Sequence, residues 1–345
     1  MKRFDIVIVG GGFCGFLVAK KLEKLLPEKN IALLELRKEF EYTPSIMKII
    51  TDKKYAEKIT IPYTTLKRTT VLHEPAQKLH DGKIISNKKT YTYDFAVICS
   101  GAHTPCPLKS EQVFVLKSVQ DAFKIHDAIQ NAKRVVVVGG GLVGVEVAGE
   151  LCTKKRKHIV LVEPGERLLR RNSEQVSQHF QKYLEQKGCM CVFGERVTQF
   201  KNKTVITQSG KNIAADIVIW CAGIGVDTLL RGGACVNDKG CVLVDEYLRV
   251  KGLEHVFAGG DITDVPEEKT AQSAEQHAEV IAENILQMNS SNPQLTSHTP
   301  HSQGLLISTG DWHAVFVRDS FFFSGIIPAL MKRFLEWWVV WKLKH

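Results

Sequence analysis

The sequence predicts an α/β fold built from two dinucleotide-binding units, because one motif occurs in it twice. Residues 135–151 read VVVVGGGLVGVEVAGEL. Four valines in a row suit a strand buried on both faces, as in the middle of a parallel sheet. Gly139, Gly141 and Gly144 then form a G-x-G-x-x-G turn that opens a helical run. The first glycine permits the tight turn, the second lets a pyrophosphate approach the backbone, and the third lets helix and strand pack closely. The free N–H groups at the helix start face the phosphates. Glu163 closes the next apolar strand, residues 158–162, nineteen residues after Gly144. A carboxylate there can bind ribose hydroxyls.

The other copy comes first in the chain. Ile6–Val9 is an apolar strand, Gly10, Gly12 and Gly15 repeat the turn, and residues 16–25 continue as a helix. Ile31–Leu34 is the following strand, and Glu35 stands twenty residues after Gly15. Each copy has a later partner strand ending at a glycine: residues 94–101 read DFAVICSG and end at Gly101, and residues 216–223 read DIVIWCAG and end at Gly223. One dinucleotide needs one such unit. Two Rossmann-like units imply two bound nucleotides.

The 345 residues are enough for two or three domains with real cores. Hydrophobic residues at 44 % and charged residues at 24 % are those of a globular protein. The net charge of +9 favours anionic partners, but no block of like charges resembles a nucleic-acid arm, and no nucleic-acid partner is expected. Nine scattered cysteines without a C-x-x-C pair point to a reducing cytosol rather than a disulfide framework. Met1-Lys2-Arg3 before an apolar run imitates a signal peptide, yet Asp5 interrupts it and its apolar part is the first nucleotide strand.

In chain order, residues 37–60 are expected as loops and short helices near the first nucleotide. Residues 71–86 and 89–92 look like short strands, with Asp81-Gly82 as a turn signal. Pro105 and Pro107 mark the crossing into the second unit, which runs to about Gly233. Residues 121–129 and 175–187 read as its helices, and Gly188 stops the second. Residues 241–248 return to the first domain. Residues 257–264, FAGGDITD, form a short strand that leaves Gly260 and Asp261 at its carboxyl end, where open α/β sheets bind ligands. A helix over 270–288 follows, packing through Ala271, Ala274, Ala278, Ile281 and Ile285, with Gln272 and Gln276 four apart on one face. Residues 289–303 are polar and read as a linker or mobile loop. Residues 304–308 and 313–317 suggest a β-hairpin, and an amphipathic, Trp-rich basic helix ends the chain. No apolar run reaches the roughly 20 residues needed to span a bilayer. The expected domains are 1–108 with 240–300, an inserted domain at 109–239, and a C-terminal membrane or interface segment at 301–345.

Taken together, these residues resemble the two-dinucleotide-binding flavoproteins, the FAD-dependent pyridine nucleotide-disulfide oxidoreductase family. GGGLVGVEVAGEL is similar to the GGGPTGVELAGEL stretch of type II NADH:quinone oxidoreductases, with Leu142-Val143 in place of Pro-Thr. TAQSAEQ, residues 270–276, fits their A-Q-x-A-x-Q quinone-site motif. Apoptosis-inducing-factor-like coenzyme Q reductases share much of the frame. The chain is shorter than most type II enzymes, mainly in its C-terminal part.

The resemblance implies FAD on the first motif with Asp261 at its ribityl-phosphate region, and NADH, with NADPH less favoured, on the second. It implies hydride transfer from NADH to FAD and then two electrons to a quinone, without a redox disulfide and without proton pumping. Cys189-Met-Cys191 and Cys235 with Cys241 do not stand where the family's redox pair belongs. Glu146, expected in the first turn of its helix, would lie beside the nicotinamide. Gln272 and Gln276 would donate N–H groups to the quinone and the reducing flavin. No metal ligands are expected. The alternatives are a flavin reductase for a protein acceptor such as ferredoxin, and a nucleotide-sensing flavoprotein with little turnover.

In the last helix Leu330, Phe334, Trp337, Trp338 and Trp341 follow the spacing of one apolar face, with Lys332, Arg333, Lys342 and Lys344 beside it and Glu336 the one acid. Trp suits the headgroup boundary. This predicts a cytoplasmic protein held peripherally on the inner face of a membrane, and a homodimer is compatible with it.

Overall fold

The computed structural model describes residues 1–80, 82–153, 157–226, 229, 235–301, 304–310, 312–319 and 321–345. Asp81 of the expected turn, Gly233 at the expected end of the second unit and Gln303 at the end of the linker lie outside the described residues. The chain divides into two compact units. One comprises Met1–Glu41, Thr60–His103 and Gly225–His301; the other comprises Tyr42–Ile59, Thr104–Ile224 and Ser302–His345.

In the first unit, five parallel strands stand in the order Val256–Ala258, Phe95–Ile98, Ile6–Val9, Ile31–Leu34 and Thr69–Leu72. The central strands are apolar at every position because both faces are covered. The helix Phe13–Leu25 leaves the first strand and packs on the helix Ala271–Met288. A second sheet carries Lys2–Arg3, Thr90–Thr92, Lys83–Ser86 and Ala76–His80. The polar stretch after the long helix has no regular structure, but it is fixed. Asn284 donates to the carbonyls of Tyr247 and Thr296 (3.0 Å each) and accepts the Thr296 N–H (2.7 Å), and the His298 N–H bonds Glu246 O (2.7 Å).

The second unit repeats the plan, with parallel strands in the order Val113–Val115, Ile217–Trp220, Arg134–Val138, His158–Glu163 and Cys189–Phe193. Helix Val119–Asn131 starts at Ser118 with a reciprocal capping box to Asp121. Residues 42–59 belong to this unit. Ile46, Met47, Ile49, Ile50 and Ile59 join the core formed by Val135, Val145, Ile159 and Ile219, so apolar burial decides their place.

The C-terminal part departs from the expected hairpin. Leu305–Ser308, Ala314–Arg318 and Phe321–Gly325 form a three-stranded antiparallel sheet. Residues 321–325 form the third strand, with phenylalanines pairing across the sheet, Phe316 facing Phe323 with ring centroids 5.4 Å apart. Helix Ile326–Lys344 follows. Among the described residues, no helix is long and apolar enough to cross a membrane.

Candidate active site

At the first glycine turn, Gly10 has φ +93°, and a Cβ on it would stand 2.3 Å from the Cys99 carbonyl oxygen. A Cβ on Gly15 would stand 1.9 Å from Gly10 O, so helix and turn meet there without room for a side chain. Gly12 faces open space, the opening that a phosphate needs. Glu35 is buried, and its carboxylate fastens the turn. Oε2 accepts the Gly11 N–H (2.7 Å) and Arg37 Nη2 (2.9 Å), while Oε1 accepts Arg37 N (2.9 Å) and Nε (3.2 Å). Burial alone raises the Glu35 pKa, but the hydrogen bonds and charge of Arg37 outweigh it and hold the carboxyl below its usual value.

The second turn reproduces this arrangement in its own unit. Gly139 has φ +108°, a Cβ on Gly144 would stand 1.8 Å from Gly139 O, and Gly141 faces open space. Glu163, also buried, accepts the Gly140 N–H on Oε2 (2.7 Å) and the Gly165 N–H on Oε1 (2.8 Å). The two copies differ at the residue after next: Arg37 follows Glu35, and Gly165 follows Glu163. Arg167, the cation nearest to Glu163 in sequence, is spent on the loop itself. It donates to Asn172 O (2.9 Å), Ser177 Oγ (2.5 Å) and Arg170 O (2.9 Å). Arg170 is the base that lies beside Glu163: a Cβ on Gly165 would stand 2.6 Å from Arg170 Cδ and 2.9 Å from Glu163 Oε1.

The strand-end glycines all take left-handed backbone, Gly101 at φ +71°, Gly223 at +85° and Gly260 at +76°. Gly260 and Asp261 begin a short turn, Gly260–Ile262, after the strand Val256–Ala258. This turn lies against the first glycine turn. A Cβ on Gly260 would stand 3.4 Å from Cys14 Cβ and 3.8 Å from Ala274 Cβ. Burial first, then the adjoining Cys99 and the charge of Asp261, push the Cys14 thiol well up. The first turn and Asp261, far apart in sequence, thus form one site.

Glu146 is the fifth residue of helix Leu142–Cys152, one turn further in than the sequence spacing suggested, and no acid occupies the first turn. It does not serve the helix dipole. Buried at 8 % exposure, its Oε1 accepts the Ser308 N–H (2.9 Å) and ion-pairs with Lys332. The C-terminal sheet can come this close because residue 149 is glycine: a Cβ there would stand 2.6 Å from Thr309 Cα. One turn along the last helix, Glu336 accepts Ser45 Oγ, the Tyr55 hydroxyl and Lys48 Nζ (3.1 Å). Burial lowers the Lys48 pKa, with Glu336 opposing and Lys332 and Arg333 adding to the shift.

The last helix therefore has two working faces. Pro328, Ala329, Lys332, Glu336, Val340 and Leu343 are buried, whereas Leu330, Phe334, Trp337, Trp338 and Trp341 remain 44–60 % exposed. Lys332 and Glu336 lie on the inner face of the helix and not beside its outer apolar face as the sequence suggested; their spacing of four among buried apolar neighbours is the signal. Arg333 stays outside, its guanidinium 3.6 Å from the Trp312 ring centroid.

Gln272 and Gln276 lie at the start of helix Ala271–Met288. Gln272 has no side-chain hydrogen bond among the described residues. Gln276 Nε2 donates to His301 O (3.3 Å), and its buried Oε1 has no hydrogen-bond partner among the described residues. This amide therefore presents an acceptor beside the donor expected from sequence.

A family model described as pyridine nucleotide-disulphide oxidoreductase matches residues 4–278. Ferroptosis suppressor protein 1 of Taeniopygia guttata is 26 % identical over 346 residues, covering 95 % of this chain and 92 % of the relative. A demethylphylloquinone reductase of Synechocystis is 28 % identical over 319 residues, covering 82 % and 79 %. Among solved structures, NDH2 of Plasmodium falciparum in complex with NADH superposes with a TM-score of 0.88 at 17 % identity, covering 99 % of this chain and 96 % of that one. Sulfide:quinone oxidoreductase of Aquifex aeolicus gives 0.88 at 18 % identity, covering 100 % and 92 %. At such identities the two superpositions establish the fold.

Proposed function

The chain belongs to the pyridine nucleotide-disulphide oxidoreductase family, and from that premise we propose that it is an FAD-dependent NADH:quinone oxidoreductase working at a membrane surface. The observation that carries the reading is the paired glycine turn and carboxylate, present once in each unit with the same 2.7 Å bond from turn N–H to Glu35 and to Glu163. Both sites fit a dinucleotide, with Gly12 and Gly141 open towards the phosphates. A carboxylate has about four lone-pair directions. Glu163 uses two and keeps two for ribose hydroxyls; at Glu35 a ribose hydroxyl replaces one of the Arg37 side-chain bonds.

FAD belongs on the first turn, beside Asp261, and NADH on the second, where Glu163 repels a 2′-phosphate. Bound FAD supplies acceptance of hydride from the nicotinamide and its delivery as two electrons to a quinone. Glu146, paired with Lys332 and held in direction by the Ser308 N–H, orients the nicotinamide side of the second site. Gln272 offers its amide to a quinone carbonyl, and Gln276 Oε1, without a partner among the described residues, is an acceptor for the hydroxyl of the hydroquinone product. The demethylphylloquinone reductase among the relatives supports a quinone as acceptor.

The exposed Trp face of the last helix, flanked by Arg333, Lys342 and Lys344, attaches the protein peripherally to the inner, anionic face of a membrane. Each such base contributes about 1 kcal/mol near anionic lipid, added to the burial of indole rings. A lipid-dissolved quinone requires this proximity.

The test is direct. Purified protein should be yellow, release FAD on denaturation and oxidise NADH continuously with a short-chain quinone. Release of FMN, a covalently retained flavin, or flavin without turnover on any soluble quinone overturns the proposal.

A further inference from the structure

We propose that His277 is the positioning residue of the Gly260–Asp261 turn: its Nδ1 accepts the Gly260 N–H, and Glu267 with His298 keeps the imidazole proton on the opposite nitrogen. The inference rests on the flavin reading for its consequence, since that turn is where FAD belongs.

The turn is crowded from two sides. A Cβ on Gly259 would stand 2.5 Å from Cys14 Sγ, 2.7 Å from Ile281 Cδ1 and 3.2 Å from His277 Cβ. The Gly260 N–H is buried there, and its partner is His277 Nδ1 at 2.9 Å. A backbone N–H can only donate, so Nδ1 carries no proton, and the neutral ring carries it on Nε2. That proton faces His298 Nε2, 3.2 Å away, while Glu267 Oε1 lies 2.8 Å from the same nitrogen but outside hydrogen-bonding angle, a charge contact that leaves Oε1 without a hydrogen-bond partner among the described residues. Glu267 Oε2 is in turn 3.3 Å from His298 Nε2. All three side chains are at least nine-tenths buried, with side-chain exposures of 1 %, 4 % and 9 % for His277, His298 and Glu267. Burial, reinforced by His298 and the charge of Lys269, holds His277 down to about 3, so it stays the neutral acceptor across physiological pH.

By distance alone the same three side chains could hold a metal ion. The Gly260 bond argues against it. A histidine that binds metal through Nε2 keeps its proton on Nδ1 and donates it to a second partner. Here the group facing Nδ1 is itself a donor, so a metal on Nε2 would set two N–H groups against each other or require an imidazolate.

Two substitutions separate the acceptor from the bulk of the ring. Asn places its amide oxygen near the position of Nδ1, whereas Gln reaches the position of Nε2 and leaves Gly260 unpaired. In flavin-loaded protein, H277Q should weaken FAD binding at least tenfold, while H277N should stay within about threefold of wild type. Long-range ¹H–¹⁵N spectra of the wild type should show the His277 proton on Nε2. Equal loss of FAD in both variants, a proton on Nδ1, or one equivalent of zinc retained through chelator dialysis would overturn the inference. A wild type that never held flavin would overturn the flavin reading instead, and the imidazole spectrum would still decide the role of His277.

Discussion

Lys332 ion-pairs with Glu146 across 186 residues of sequence, joining the last helix to the helix that opens the second nucleotide turn. Both side chains are buried, and the Ser308 N–H takes part of the same carboxylate. Breaking a buried pair by removing one partner strands the other charge, at about 3–5 kcal/mol. K332M should therefore lower the unfolding midpoint clearly, and adding E146Q should recover most of the loss. A K332M protein as stable as wild type in denaturant melts would show that water already reaches Glu146.

Nucleotide choice follows from Glu163. Its two bonds from Gly140 and Gly165 hold a negative charge where a 2′-phosphate would sit, so kcat/KM for NADH should exceed that for NADPH by about tenfold, or about 1.4 kcal/mol. Arg170 is the cation that softens the preference, and R170A should widen it. Equal efficiencies for the two nucleotides in the wild type would contradict this.

The two glutamines separate the half-reactions. Replacing Gln272 and Gln276 together with Ala should raise the quinone KM or reduce turnover by about tenfold, the worth of one or two hydrogen bonds. Anaerobic reduction of the flavin by NADH, followed by stopped flow, should change less than about twofold. Unaltered quinone turnover in the double variant would make these side chains a polar helix face and nothing more.

Membrane attachment is tested on the outer face of the last helix alone. Changing Trp337, Trp338 and Trp341 to Ser should abolish flotation with anionic liposomes and leave activity on a short-chain quinone intact. Truncation after Pro328 is a different experiment, because it removes Lys332 and Glu336 and strands Glu146 and Tyr55; it should destabilise the protein. Liposome binding that survives the triple substitution removes the membrane claim.

Acid sensitivity should carry a histidine signature. The folded pKa of His277 is held at about 3 by burial, and then by His298 and Lys269, against about 6.5 in an unfolded chain. The unfolded chain binds the proton first, so this contribution is complete above pH 6.5 and is lost as pH falls from there towards 3, by at most about 1.4 kcal/mol per pH unit. His313, pushed to about 4 mainly by burial, acts in the same direction more weakly because it is partly exposed. Glu35, whose pKa is lowered, keeps its contribution down to about 4.3, the ordinary Glu value, and loses it only as the pH falls below that. Melting between pH 6.5 and 4.5 should therefore show a slope that H277N reduces. An unchanged slope in H277N would refute the assignment.

The two glycine turns, their strands and their closing glutamates were legible in the sequence because each is local. A turn followed by a helix needs its glycines at fixed spacings, and a strand buried on both faces needs an unbroken apolar run, whatever the rest of the chain does. Gly260, Asp261 and the paired glutamines were legible as a pattern for the same reason. Tertiary structure alone decided where long-range polar partners meet. Lys332 and Glu336 read as the charged margin of an amphipathic helix until Glu146 and the Ser45–Lys48–Tyr55 group were placed against its inner face. Residues 42–59 read as part of the first unit until their isoleucines filled the second core. His277 acquires its role only where Gly260, Glu267 and His298 stand around it. A buried polar side chain is set by whichever donor or acceptor the fold brings within about 3 Å, and sequence spacing carries no record of that encounter.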